Sequence, residues 1–266
     1  MAHLELTKHH GLGNDFLVAF HPGVDDLPSL ARRLCDRHRG IGADGLLIGE
    51  SEPGYAARMV LYNADGSRAE MSGNGIRCFA QALARRRGDL DPQLILTDAG
   101  DRLVTLYATD DADVIEAAVD MGPVSPIDEP ADWHRIGTDP MRPVSHLSVG
   151  NPHAVVGVDD VMVVDLLSLG EIVPDVNLEL IEPGPEPHAI TMRVHERGAG
   201  ITKACGTGAC AGAWAAASWG LVAAAFEEIT VHMDGGDAKV RLHRPQHGHV
   251  TLVGPSVFIG SIEVRR

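Results

Sequence analysis

Cys205, with Glu196 and Arg197 ahead of it, brings a thiol, a carboxylate and a guanidinium close together in this 266-residue sequence. The run Lys203-Ala204-Cys205-Gly206-Thr207-Gly208-Ala209-Cys210 reads as a tight turn delivering the chain into a helix. A thiol there sits where unpaired backbone N–H groups converge and the helix dipole is positive. Such a place binds a carboxylate and favours thiolate over thiol. The dipole is worth up to about 2 kcal/mol, or roughly 1.5 pK units, which predicts a thiol near 7 instead of about 8.5. That is the range an acid/base needs at neutral pH. The plainer role for such a cysteine is a small apolar residue packed at a turn. Glu196 and Arg197 directly precede a Gly-rich turn that leads to the thiol, and Asn63, Asn151 and Asn177 are neutral donor–acceptors suited to the carboxylate and ammonium of an amino acid.

The elements around the thiol occur twice. Ser72-Gly73-Asn74-Gly75-Ile76-Arg77-Cys78 also opens an apolar helix, ending near Arg87 before Gly88, and one constant offset carries Ser72, Gly73 and Gly75 onto Cys205, Gly206 and Gly208. The same offset carries Asn63 onto Glu196. Gly13-Asn14-Asp15-Phe16 resembles Gly150-Asn151-Pro152-His153, Asp98-Ala99-Gly100-Asp101 echoes Asp234-Gly235-Gly236-Asp237, and Met121-Gly122-Pro123-Val124 echoes Val253-Gly254-Pro255-Ser256. Matching segments in one order indicate an internal duplication whose period is far too long for a solenoid. The expected fold is mixed α+β, with two pseudo-symmetric domains, residues 1–121 plus 254–266 and residues 122–253. Each is expected to be a curved, mostly antiparallel sheet around a central helix, the two helix starts facing one cleft.

The chain is long enough for a core that divides in two. A net charge of −15 makes nucleic acid and anionic membranes poor partners. Four cysteines do not make a disulfide framework in a chain of this length, and a reducing cytoplasm fits them. The first residues do not read as a signal peptide. The uncharged run from Ala204 to Phe226 is long enough to span a bilayer, but it is rich in Ala and Gly and begins with a turn, so it reads as a buried helix.

Residues 1–20 predict two strands about a turn at Gly11–Asn14, and Leu27–Arg39 predicts a helix. Gly40-Ile41-Gly42-Ala43-Asp44-Gly45 matches G-x-G-x-x-G, yet a helix precedes it and a strand follows, the reverse of a dinucleotide site. Strands are expected at Met59–Asn63, Leu94–Leu106, Val114–Val119, His146–Val158 about Gly150, Ile190–His195, Ile229–Arg241 and His249–Leu252, with a short helix at Asp165–Gly170. Pro123, Pro126, Pro130, Pro140 and Pro143 mark the crossover between domains. His243, His247 and His249 have no ligand partners at metal spacing and read as solvated loop residues, so no metal is expected.

These segments resemble the diaminopimelate epimerase family. The resemblance rests on His10-Gly11-Leu12-Gly13-Asn14-Asp15-Phe16, Asn63-Ala64-Asp65-Gly66-Ser67, Gly73-Asn74-Gly75-Ile76-Arg77-Cys78, Gly150-Asn151-Pro152-His153, and Glu196-Arg197-Gly198-Ala199-Gly200 leading to Cys205-Gly206-Thr207-Gly208. It implies cofactor-independent epimerisation of LL- to meso-2,6-diaminopimelate, on the route to lysine and peptidoglycan precursors, in a closed cleft between the domains. It places Asn14, Asn63, Asn151, Asn177, Glu196 and Arg197 on the substrate, and Gly73, Asn74, Gly206 and Thr207 on its reacting carboxylate. His153 and Glu196 would tune the acid/base pair. Phe258, where the family often has Tyr in a dimer contact, hints at a homodimer.

One departure bears on mechanism. The family places a cysteine at each helix start, and the first falls on Ser72 here; Cys78 matches a different position, facing the helix packing. A serine hydroxyl without a partner base is a poor proton carrier. Ser72 leaves several readings open: a native variant with slow or altered epimerase chemistry, a replacement of the family's cysteine, another racemase or one-base dehydratase on the same scaffold, or a silent amino acid binder. Gly45, where many members have Gln, and Ile201, where Glu is usual, are smaller departures.

Overall fold

The computed structural model describes residues 3–223, 225–243 and 248–265. The chain divides into two units, one running to Val119 and resuming at Gly254, the other Asp120–Val253. Along the first half lie β1 (His3–Gly11), β2 (Asn14–Phe20), α1 (Leu27–Cys35), β3 (Gly45–Glu50), β4 (Ala57–Asn63), β5 (Arg68–Ala69), α2 (Gly73–Arg87), β6 (Gln93–Thr97), β7 (Gly100–Ala108) and β8 (Val114–Pro123). The second half adds β9 (Ser125–Pro126), β10 (Val144–Ser148), β11 (Pro152–Gly157), α3 (Leu166–Ile172), β12 (Asn177–Pro183), β13 (Ala189–Glu196), β14 (Gly200–Thr202), α4 (Gly206–Trp219), β15 (Glu228–Met233), β16 (Gly236–Leu242) and β17 (His249–Arg265).

The duplication is written in the strand pairings. In the first unit β1 and β2 form a hairpin, β2 runs parallel to β3, β3 is antiparallel to β4, β4 runs parallel to β6, and β6 and β7 form a hairpin. The second unit repeats each step: β10 with β11, β11 parallel to β12, β12 antiparallel to β13, β13 parallel to β15, β15 with β16. Each unit is thus a mixed, mainly antiparallel sheet around one helix. In the first, α2 packs on β1, β2, β3, β4 and β7; in the second, α4 packs on β10 to β13, β15 and β16. The G-x-G-x-x-G match has the order the sequence indicates, a helix before and strand β3 after.

Caps define both central helices. Ser72 and Cys205 are their N-caps in extended conformation, and Gly88 (φ 80°) and Gly220 (φ 76°) end them in the left-handed region. Helix α4 is buried over most of its length, and among the described residues no helix is long and apolar enough to cross a membrane. Cys78 is buried in α2, as expected.

Two sequence expectations fail here. Helix α1 stops at Cys35, not Arg39, because the Asp36 carboxylate accepts from the His38 and Arg39 N–H groups and turns the chain out of the helix. His249 is not a loop residue; it opens β17, half-buried, with Nδ1 3.4 Å from Asp120 Oδ1. His243 is exposed, and His247 lies outside the described residues. Among the described residues no cluster of His, Cys, Asp or Glu could hold a metal ion.

Candidate active site

The first residues of β11 and β12 and the last of β13 lie by the first turn of α4, and their side chains build the second unit's site. Cys205 accepts at Sγ from the Gly208 N–H at 3.4 Å, and its sulfur lies 3.5 Å from Thr207 Oγ1. Thr207 accepts from Asn151 Nδ2 at 3.3 Å, and Asn151 Oδ1 is 2.9 Å from His153 Nε2. The other ring nitrogen, His153 Nδ1, lies 2.6 Å from Glu179 Oε1, with both side chains fully buried. One chain of hydrogen bonds therefore runs Cys205–Thr207–Asn151–His153–Glu179.

Asn177 and Arg197 meet through the backbone: Asn177 Oδ1 accepts from the Arg197 N–H at 2.9 Å, and its Nδ2 donates to the Pro152 carbonyl at 3.1 Å. The Arg197 side chain itself is exposed. Glu196 is half-buried, with Oε1 accepting from the Thr202 hydroxyl. The Gly206 and Thr207 N–H groups precede the first rung of the α4 ladder, which begins with the Ala209 N–H on the Cys205 carbonyl.

The expected lowering of the Cys205 thiol is overturned. Burial pushes it well above its ordinary value, and the Glu196 and Glu179 carboxylates push it further the same way. The Thr207 and Gly208 hydrogen bonds pull it down but do not prevail. Desolvation outweighs the helix dipole for a fully enclosed group.

In the first unit the homologous turn is built differently. Ser72 Oγ accepts from the Gly75 N–H at 3.0 Å, the service a helix N-cap performs. Asn74 is buried; its Nδ2 donates to Asn14 Oδ1 at 3.2 Å, and its Oδ1 accepts from Arg77 Nη2 at 2.6 Å. Asn14 donates in turn to Asp44 Oδ2 at 2.7 Å, and Asp44 is tied to Arg37. Burial raises the Asp15 carboxyl, but bonds to Arg37 and Lys8 outweigh it and hold Asp15 below the usual carboxylate range. Gly73 is buried at the first position of α2. Asn63 stands apart, exposed in its own turn with Nδ2 on Ser67 Oγ at 3.0 Å.

Structure thus joins Asn14 to Asn74, and Asn151 to His153, Thr207 and Cys205. It also exposes Glu179, which sequence reasoning missed. The signal was present: in Asn177-Leu178-Glu179-Leu180 the leucines alternate with Asn and Glu, so a polar pair shares one strand face. Leu178 and Leu180 pack into the apolar core with Leu166 and Val156, and Glu179 points the other way, under α4.

The model of the family described as diaminopimelate epimerase matches residues 6–127 and 145–259. A protein named diaminopimelate epimerase from Synechococcus elongatus is 36% identical over 98% of this chain and 99% of its own length. One of the same name from Moorella thermoacetica is 38% identical over 96% and 97%. Among solved structures, the Bacillus anthracis phenazine biosynthesis protein of the PhzF family superposes with a TM-score of 0.78 over the full length of both chains at 15% identity, a likeness of fold. With nearly the whole length matched on both counts, this chain belongs to the diaminopimelate epimerase family of isomerases.

Proposed function

We propose that the protein interconverts LL- and meso-2,6-diaminopimelate by removing and returning the proton of one α-carbon. The observation that carries this reading is the N-cap thiol of α4, seated over a hydrogen-bonded chain that ends in a buried His–carboxylate pair. The reacting carboxylate is assigned to the N–H groups of Gly206 and Thr207 and to Gly73 and Asn74, where helix dipoles stabilise negative charge as the α-proton leaves. Asn14, Asn63, Asn151, Asn177, Glu196 and Arg197 are assigned to the rest of the substrate, and His153 and Glu196 to the control of the thiol. Cys205 is assigned as one acid/base of the reaction, delivering hydrogen to the α-carbon as a thiol and taking it as a thiolate. Ser72 occupies the post of the partner acid/base for the opposite face, and because its hydroxyl is a poor proton carrier the exchange is expected to be slow or altered. The free thiols support a reducing cytoplasm, and Phe258 supports a homodimer.

Solvent-deuterium incorporation tests the reading. Incubated in D2O, the protein is expected to exchange the α-proton of LL- or meso-diaminopimelate, and Cys205→Ala to abolish the exchange. Silence with both stereoisomers, or a Cys205→Ala variant as active as the parent, overturns it.

Ser72 favours a second reading. Its oxygen is engaged as a cap acceptor, and no base contacts it among its hydrogen bonds in the described residues. A one-base lyase or racemase on the same scaffold, or a silent binder, would need only the Cys205 side. Ammonia or a keto acid released from a hydroxylated amino acid identifies the lyase, and tight binding of diaminopimelate without exchange identifies the binder.

A further inference from the structure

Glu179 belongs to none of the motifs, yet it packs under the reactive turn. Its Oε1 lies 2.7 Å from the point where a Gly208 Cβ would stand, and Cys205 Sγ lies 3.3 Å from the same point. Its other oxygen has no hydrogen-bond partner among the described residues. A carboxyl group buried this completely is costly unless its contacts do something for the fold or the chemistry.

The direction of the hydrogen-bond chain follows from its members. Asn151 donates through Nδ2 to Thr207, so its Oδ1 faces His153, and that contact needs a hydrogen on Nε2. With Nε2 protonated, a single proton holds Nδ1 to Glu179 Oε1, carried by either atom. At the other end Thr207 Oγ1, accepting from Asn151, has its own hydrogen left to give to Cys205 Sγ. A sulfur that accepts from both Thr207 and the Gly208 N–H turns its own hydrogen away from them. Once ionised it is stabilised by both donors.

We propose that Glu179 is a positioning residue for Cys205: by holding His153 in the form with hydrogen on Nε2, it sets the polarity of the His153–Asn151–Thr207 chain and so the direction of the thiol hydrogen. The catalytic meaning of this rests on the epimerase reading, but the polarity itself needs no substrate. The charged and titratable groups facing the thiol are Glu179 from β12, Glu196 from β13 and His153 from β11; α4 contributes none, and His195 packs instead against Gly170 of α3.

Two substitutions separate polarity from charge. Glu179→Gln and Glu179→Leu both remove the ionisable carboxyl group, but only Gln can donate to Nδ1 and so hold the hydrogen on Nε2. The thiolate absorbance of the full chain, with that of Cys205→Ser subtracted, gives the midpoint of Cys205 in each. Glu179→Leu is expected to titrate above Glu179→Gln by roughly one to two pH units, the worth of one hydrogen bond to a charged sulfur. Equal midpoints overturn the proposal. Should Glu179→Leu not fold, Thr207→Val decides: a midpoint raised by a similar amount above the parent supports the chain, and an unmoved one overturns it. If the titrations behave as expected while diaminopimelate shows no isotope exchange, the epimerase reading fails and the role of Glu179 in the thiol's ionisation stands.

Discussion

Ser72 and Cys205 hold the same post in their helices and differ in what lies beneath them. The point where a Gly75 Cβ would stand is 3.2 Å from Ser72 Oγ and 3.4 Å from the Phe16 ring; at Gly208 the neighbours are Cys205 and Glu179. In the two parallel strand pairs, β2 with β3 and β11 with β12, Phe16 pairs with Gly45 where His153 pairs with Asn177. An aromatic ring thus stands in the first unit where the second has an imidazole that can share a proton. A hydroxyl above an apolar ring has nothing to take its proton and ionises far too weakly to act as a base. Restoring a thiol at this post is therefore expected to speed isotope exchange by about two orders of magnitude or more, the usual worth of a positioned acid/base. Comparing Ser72→Cys with the parent at equal protein concentration, by the loss of the α-proton NMR signal in D2O, reads this directly. An unchanged rate would remove position 72 from the chemistry. Ser72→Ala removes the cap and is expected to cost about 1 kcal/mol of stability.

Helix α4 could be placed from sequence because its punctuation is local: an uncharged run, a Gly-rich entry and Gly220 at the end. The same signals located α2. The end of α1 was misread because Asp36 looks like one more helical position, while its side chain captures two backbone donors from the next turn. Glu179 was missed for a different reason. A single acid in a strand reads as an outward-facing residue until both neighbouring strands and the helix above are known. Gly208 was matched to Gly75 by repetition, but its necessity belongs to packing. A methyl group there would stand 2.7 Å from Glu179 Oε1, inside contact distance of a buried carboxyl that has nowhere to move. Gly208→Ala is expected to cost about 1–3 kcal/mol in urea unfolding. In a Glu179→Ala background most of that cost should vanish, since the colliding atom is gone. Equal costs in both backgrounds would show that the collision is not what Gly208 avoids.

At the scale of the molecule, duplicated order was readable because repeated segments keep their sequence in both halves, and the strand pairings repeat with them. Desolvation was not readable, since it depends on how completely a folded sheet encloses a group, and it reversed the expectation for Cys205. The same effect acts on other thiols. Burial is the largest cause that pushes Cys35, and likewise Cys78, from 9.0 up to about 12; at Cys35 the Asp15 and Asp44 carboxylates add to it. Both are unpaired by disulfides. In the unfolded chain these thiols ionise near their ordinary value, while in the folded chain they hold their protons to higher pH. The folded value is the higher one, so their contribution to stability is fully present below pH 9 and is lost as pH rises towards 12. The urea midpoint of the full chain should therefore fall across this window. A Cys35→Ala/Cys78→Ala double variant should start from a lower midpoint at neutral pH, having lost buried volume, yet decline less steeply above pH 9. A double variant that declines as steeply as the parent would assign the alkaline loss to lysine, tyrosine or arginine groups, and would show that these two thiols are not held protonated by the fold.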